Sequence, residues 1–166
     1  MSSVLYIVDP AVYFKKIVEI FKGRLAGKNV IYITTNKTYG AMTQLFKSEN
    51  VDMGHIFFID CISQQINRNA AGTPNCVVLD GPKNVTQIGI AISKAMVSVP
   101  GEKTLFLDSL STMLIYNDSS VVSRFSNFLM NKAKGAGVDG CVMALSSDMG
   151  KDVVNFAQTF ADKVEK

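Results

Sequence analysis

Four aspartates stand directly after short apolar runs of the sequence, at Asp9, Asp60, Asp80 and Asp108. If these runs are parallel strands, their carboxyl ends share one edge of a sheet, which is where such sheets bind ligands. Carboxylate oxygens are the ligands that Mg²⁺ prefers. The acids therefore suggest a magnesium-dependent site for a nucleotide or for phosphoryl transfer. The alternative, which we favour, is that each aspartate caps the loop or helix behind it, as in DPA, DCIS and DGPKN.

Two glycine-containing segments look like phosphate-binding loops. A Walker A loop needs four residues between its first glycine and Gly-Lys, followed by a Ser or Thr that holds magnesium. The segment GRLAGKN (23–29) has a spacer of three residues and ends in Asn29, and GAGVDG (135–140) matches only the loose pattern GxGxxG. Both follow a predicted helix and precede a predicted strand, whereas phosphate-binding loops leave a strand and enter a helix. We interpret both segments as helix-to-strand turns.

The place for a phosphate-binding loop is after the first apolar run, where the sequence reads VLYIVDPAVYF. This segment contains no glycine, and Pro10 lacks a backbone N–H. Asp9 suits the N-cap of the following helix, with Pro10 at its first position. A carboxylate there would repel a phosphate. The sequence therefore predicts that the pocket is filled from within the chain.

The elements that must position these residues are apolar runs that alternate with amphipathic segments. The runs span 4–8, 30–35, 56–59, 76–79, 104–107 and 141–145. They are continuous rather than alternating, which is typical of strands buried on both faces of a parallel sheet. Predicted helices begin near Tyr13, Val85, Val122 and Val153, the last reaching Val164, and 67–75 is a predicted loop. The pattern predicts one three-layer, doubly wound α/β domain over 1–166 with a mainly parallel sheet.

Composition excludes several classes of protein. The net charge of +3 on 166 residues is too small to indicate nucleic-acid binding. No apolar run approaches membrane-spanning length, and the N-terminus lacks the features of a signal peptide, so we expect a cytoplasmic protein. The odd set of three cysteines contains no CxxC pair and indicates buried, reduced thiols. The single histidine, His55, argues against a histidine metal site.

The order of several segments resembles the RecA-superfamily, KaiC-like ATPase domains common in archaea. These segments are VIYITTN, IFFID, GPKNVTQIGIAISKAM, KTLFLDSLSTMLIY and FSNFLMNKAKGAGVDGCVMAL, and together they cover nearly the whole chain. The resemblance implies a RecA-like P-loop NTPase fold, here without the P-loop. Members of that family are P-loop ATPases of signalling and motility systems that often assemble as rings. Some relatives have lost the phosphate loop and have no assigned activity.

The resemblance also assigns residues. Asp108 corresponds to the Walker B acid, which would contact magnesium through water, and Ser109 is its neighbour. The place of the catalytic acid is taken by Thr35 and Asn36, neither of which can act as a general base. On the residues alone, Asp108 and Ser109 are better interpreted as a strand-end cap. We therefore expect no catalytic residue and no nucleotide-binding residue, with a magnesium contact of Asp108 as the one metal site left open.

The functional hypothesis is a non-catalytic RecA/KaiC-like domain that acts as a protein-interaction or regulatory module in a signalling assembly. It would bind a protein partner or a second copy of itself. The competing hypothesis is a magnesium-dependent nucleotide-binding or phosphoryl-transfer protein that uses the acids at the strand ends.

Overall fold

The computed structural model describes residues 2–166, in which seven strands form one sheet. The strands are β1 (Ser3–Val8), β2 (Asn29–Thr34), β3 (Ile56–Asp60), β4 (Cys76–Val78), β5 (Lys103–Asp108), β6 (Asp139–Leu145) and β7 (Lys163–Glu165). Their order across the sheet is β4-β3-β2-β5-β6-β1-β7, and each pair of neighbours is parallel. The predicted parallel α/β sheet is therefore confirmed.

Helices cover both faces of the sheet. They are α1 (Tyr13–Lys22), α2 (Tyr39–Ser48), α3 (Ser63–Ile66), α4 (Val85–Ser98), α5 (Leu110–Tyr116), α6 (Ser119–Ala136) and α7 (Asp152–Phe160). Helices α1 and α2 pack on one face, and α4 to α7 pack on the other. Short 3-10 turns occupy Pro10–Val12 and Ser146–Asp148.

The strands are apolar on both faces because both faces are covered. In β2, Ile31 and Ile33 belong to the core beneath α4 to α7, whereas Val30 and Tyr32 belong to the core beneath α1 and α2. Successive side chains of a strand point to opposite faces, so a strand between two helical layers needs an unbroken apolar run. This is why the six apolar runs coincide with β1 to β6.

The C-terminal part of the chain differs from the prediction. The last helix ends at Phe160, and Val164 lies in β7, which pairs with β1 at the edge of the sheet. The spacing of apolar residues suggested helix as far as Val164, but β7 has only three residues, KVE, which are too few to show a strand period. Helices α2, α3 and α5 were not predicted as separate elements.

Both glycine-containing segments are helix-to-strand turns, as predicted. Gly23 is the C-cap residue of α1, and Gly27 has a φ of +70° in the turn before β2. Gly137, with a φ of +68°, is the left-handed C-cap residue of α6 and stands two residues before β6. Positive φ angles favour glycine, which accounts for the residue type at both turns.

The three cysteines are buried and free, as expected, and burial raises the pKa of each thiol. Among the helices that the structure describes, none combines the length and apolar character needed to cross a membrane.

Candidate functional site

The last residue of β5, Asp108, is completely buried and accepts hydrogen bonds from two tyrosines. The hydroxyl of Tyr13 donates to Oδ1 at 2.5 Å, and the hydroxyl of Tyr32 donates to Oδ2 at 2.6 Å. Each carboxylate oxygen therefore has its own phenol donor. Hydrogen bonds to a charged acceptor are among the stronger ones in proteins, so the two phenols hold this carboxylate firmly.

Tyr13 reaches Asp108 because of the way the chain leaves β1. The side chain of Asp9 accepts a hydrogen bond from the N–H of Ala11, and Pro10 opens the 3-10 turn that leads into α1. The predicted cap at Asp9 is thus confirmed. Tyr13, the first residue of α1, then turns into the core with Ile17 and Phe21.

Tyr32 lies on the strand beside β5. It pairs with Phe106, and the next residue of β2 on the same face, Thr34, pairs with Asp108. The ring of Tyr32 stacks on that of Phe106, with centroids 5.0 Å apart. The long phenol side chain therefore bridges from the middle of β2 to the carboxyl end of β5.

The electrostatics of Asp108 are dominated by burial, which raises the pKa of its carboxyl group above the ordinary value. The hydrogen bonds from Tyr13, Tyr32 and Asn36, together with the charge of Lys37, act in the opposite direction but do not cancel it. Burial, followed by the proximity of Asp108, raises the pKa of both phenols well above 10.0. Both tyrosines therefore remain protonated donors at neutral pH.

A second polar cluster lies next to Asp108 and consists of hydroxyl groups. Thr35 Oγ1 is 2.7 Å from Thr112 Oγ1 and donates to the backbone carbonyl of Asp108 at 3.1 Å. Ser109 caps α5 through a capping box with Thr112, as predicted for this residue. The peptide bond between Asp108 and Ser109 is cis. Thr35, at the place where the resemblance puts a catalytic acid, thus supports the backbone at the end of β5.

The carboxylate of Asp108 does not cap the following loop, contrary to the interpretation favoured from the residues alone. Its two oxygens are directed to the phenols, and Ser109 performs the capping instead. A phenol in the middle of an apolar strand needs a hydrogen-bonding partner when it is buried. The position of Tyr32 in an apolar strand therefore indicated a buried acceptor, but we did not use it in predicting the site. We also did not consider the hydroxyl group of Tyr13 as a donor.

The other aspartates do not converge with Asp108. Asp60 is fully buried and accepts hydrogen bonds from the N–H groups of Tyr39, Ile62 and Ser63, so its predicted cap is confirmed. It ends β3, which is two strand positions from β5, or about 10 Å at the usual strand spacing.

Asp9 follows β1, which is also two strand positions from β5. Asp80, beyond the edge strand β4, is exposed, and its side chain accepts no hydrogen bond from residues 2–166, so the cap predicted for it on the following loop or helix is not found; Asn84 caps α4. The acids that follow the strands are therefore spread along the sheet edge rather than gathered at one point.

This arrangement fits magnesium poorly. Within residues 2–166, no group of three or more His, Cys, Asp or Glu side chains is placed to hold a metal ion. Mg²⁺ prefers carboxylate oxygens and waters, whereas Asp108 is surrounded by phenol hydroxyls in a buried position. The magnesium contact of Asp108 stays a prediction, and it would require at least one tyrosine to move.

A different feature lies on the opposite helical layer, where a groove of about 970 Å³ separates α4 from α6. We call it the α4/α6 groove. Its walls carry Ile90 and Val97 of α4 and Phe128 of α6, with 52%, 88% and 41% of their surface exposed. Exposed apolar residues that cluster in this way mark interaction surfaces on proteins.

Comparison with solved structures identifies similar folds in archaeal proteins. The KaiC-like protein PH0186 from Pyrococcus horikoshii OT3 is 13% identical with a TM-score of 0.70, covering 98% of this chain and 69% of that one. The uncharacterized protein PH0321 from Pyrococcus horikoshii, solved in complex with an unknown peptide, is 14% identical with a TM-score of 0.73, covering 98% and 76%.

Flagellar accessory protein FlaH from Methanocaldococcus jannaschii is 12% identical with a TM-score of 0.66, covering 98% of this chain and 69% of its own. These identities show the fold alone, and they confirm the RecA-like, KaiC-like fold that the resemblance implied. The comparison with curated proteins gave no match. The model of a family of unknown function, DUF7504, matches residues 21–165.

Proposed function

The chain belongs to this family of unknown function, DUF7504, and we propose that it is a RecA/KaiC-like protein-interaction or regulatory module that does not hydrolyse nucleotide. We further propose that the module acts in a signalling assembly. Its ligand is a protein partner or a second copy of the chain.

The observation that carries the proposal is that both carboxylate oxygens of Asp108 accept hydrogen bonds from residues of the chain itself. A carboxylate that contacts magnesium through water needs at least one oxygen that faces solvent. Asp108 has no exposed surface, and Tyr13 and Tyr32 each take one oxygen. Tyr13 belongs to the start of the helix that follows β1, so the element that would face a phosphate supplies a phenol instead.

The residues around Asp108 support the same interpretation. Phosphoryl transfer depends on a phosphate cradle, a metal and a group that orients the nucleophile. The segment after β1 offers Asp9 and Pro10 in place of a glycine-rich loop, and the place of the activating acid holds Thr35 and Asn36. Thr35 is committed to hydrogen bonds with the backbone at the end of β5.

A role in protein contacts is supported by the α4/α6 groove. A groove of this size, open to solvent and lined mainly by apolar side chains, suits a protein ligand better than a nucleotide. PH0321, a protein of similar fold, was solved in complex with an unknown peptide, which agrees with such a role.

Isothermal titration calorimetry with Mg-ATP, Mg-ADP and magnesium chloride alone tests the proposal. We expect no heat of binding for the wild-type protein or for Asp108→Asn. The rival function, a magnesium-dependent nucleotide protein, requires saturable binding by the wild type that Asp108→Asn abolishes. Observing that pair of results would overturn the proposal.

A further inference from the structure

The α4/α6 groove has an apolar floor between two cationic borders. Gly89 lies on α4 opposite Phe128, and a Cβ placed on Gly89 would come within 3.5 Å of that ring. The ring of Phe128 therefore packs over Gly89, where the absence of a side chain lets α6 approach α4. Ile90 and Val97 stand on the α4 wall, about two helical turns apart.

The charges that border the groove are all positive. Lys94 of α4 and Arg124 of α6 line it, and no acidic residue does. Both cations are exposed, and neither forms an ion pair with any residue between 2 and 166. Lys132, one turn beyond Phe128, places its ammonium group 5.8 Å from the centre of that ring. An apolar surface with unpaired cations on both sides is complementary to an apolar ligand with acidic flanks.

We propose that the α4/α6 groove binds an amphipathic α-helix of a partner protein, whose apolar stripe packs on Ile90, Val97 and Phe128 and whose acidic residues pair with Lys94 and Arg124. The inference rests on the proposed function, because it specifies the chemistry of the protein partner.

The dimensions of the groove fit a helix. α4 has 14 residues and is therefore about 21 Å long, enough to lie beside about four turns of a second helix. Apolar residues at positions i, i+3, i+4 and i+7 of the ligand would then span the distance from Ile90 to Val97.

The walls of the groove also favour a helix over an extended peptide. Both walls are helices, whose backbone N–H and C=O groups are paired within each helix except at the ends. An extended peptide would find no strand edge to pair with and would leave its own backbone groups unpaired in an apolar surface. A helical ligand satisfies its backbone internally and presents only side chains.

Phage display gives a direct test with a defined probe. The library is a 15-residue helix with fixed leucines at i, i+3, i+4 and i+7 and with randomised flanking positions, selected against the full chain. We expect enrichment of Asp and Glu at the flanks. The best peptide, titrated into ¹⁵N-labelled protein, should shift amide signals of α4 and α6 and leave those of α1 and α2 unchanged.

Matched variants connect binding to the groove. The pair Lys94→Glu and Arg124→Glu should weaken the peptide at least tenfold, and so should Val97→Glu alone. Two controls should leave its affinity within twofold: Lys15→Glu on α1, across the sheet, and Ile115→Glu, an exposed apolar residue of α5 that does not line the groove. Thermal unfolding confirms that each variant is folded.

Three results would overturn the inference. They are a selection without enriched sequences, enrichment without an acidic bias, and a dimer in light scattering that Val97→Glu dissociates, since the groove would then join two copies of the chain. The proposed function fails separately, through nucleotide binding in the calorimeter. A peptide that binds a protein which also binds Mg-ATP would sustain this inference and refute only the non-catalytic role.

Discussion

Tyr13 and Asp108 are separated by 95 positions in the sequence, yet the phenol oxygen of the one lies 2.5 Å from the carboxylate oxygen of the other. The contact joins the start of the first helix to the end of the strand that resembles a Walker B strand. Together with the hydroxyl of Tyr32, it gives the buried acid two donors from within the chain.

Replacing Tyr13 with Phe removes one of the two donors without changing the shape of the core. A hydrogen bond to a charged, buried acceptor is worth about 2 kcal/mol. We expect Tyr13→Phe to lower the free energy of unfolding by about this amount, measured by urea denaturation. Tyr39→Phe is the control, because the hydroxyl of Tyr39 donates no hydrogen bond within residues 2–166. Equal stabilities of the two variants would contradict the assigned role of Tyr13.

The pH dependence of stability tests the burial of Asp108. Its pKa in the folded protein lies above the ordinary 3.8, so between these two values the folded state binds more protons than the unfolded state. The contribution of Asp108 to stability is therefore present below about pH 3.8 and is lost as pH rises through the raised pKa. The amide group in Asp108→Asn does not titrate, so this variant does not lose stability at this site as the pH rises.

We expect the stability of Asp108→Asn, measured relative to wild type by urea denaturation, to increase between pH 3.5 and pH 7. Every other titratable group is common to both proteins, so the difference between them isolates this site. A difference that stays flat or decreases with pH would show that the carboxylate is not held in a desolvated position.

Asp60 differs from Asp80 in burial and in its hydrogen bonds. Its two oxygens accept from three backbone N–H groups, and an asparagine would turn one acceptor into a donor that faces donors. We expect Asp60→Asn to lower the free energy of unfolding by about 2–3 kcal/mol and Asp80→Asn by less than about 0.5 kcal/mol. Thermal and urea unfolding of the two variants compare them directly. A similar, small effect of both would refute the capping role of Asp60.

Two glycines give opposite predictions. A Cβ on Gly72 would lie 2.5 Å from the backbone carbonyl oxygen of Cys76, so Gly72→Ala must displace the loop before β4 and should destabilise the protein by about 1–3 kcal/mol. A Cβ on Gly135, in the last turn of α6, meets nothing within 4 Å. Gly135→Ala should stabilise by about 0.5–1 kcal/mol through helix propensity. Unfolding midpoints that move in the same direction would contradict this account.

The sequence was sufficient to predict the fold, because a parallel sheet between two helical layers produces continuous apolar runs. Each of β1 to β6 could be located from such a run, and the segments near Gly23 and Gly137 could be recognised as turns from their order. The edge strand β7 was missed because its three residues show no period, and because Val164 also continues the helical spacing of α7.

The site was less predictable, since hydrogen bonds between side chains depend on register and helix placement. The sequence indicated that Asp108 ends a strand, and it indicated that the start of α1 closes the expected pocket. It did not show that Tyr13 and Tyr32 meet at one carboxylate, because that requires β2 to lie beside β5 and α1 to begin above the end of β5. The family resemblance implied the fold, but it assigned no role to the two tyrosines.

Paramagnetic broadening by manganese shows directly whether Asp108 can hold a metal–nucleotide complex. Mn²⁺ replaces Mg²⁺ at nucleotide sites and broadens the NMR signals of nearby nuclei. With Mn²⁺ and ATP added to ¹⁵N-labelled protein, we expect the amide signals of Tyr13, Ser109 and Thr112 to keep their intensities. Selective loss of these signals, restored by the Asp108→Asn substitution, would show that Asp108 holds a metal–nucleotide complex and would contradict the account.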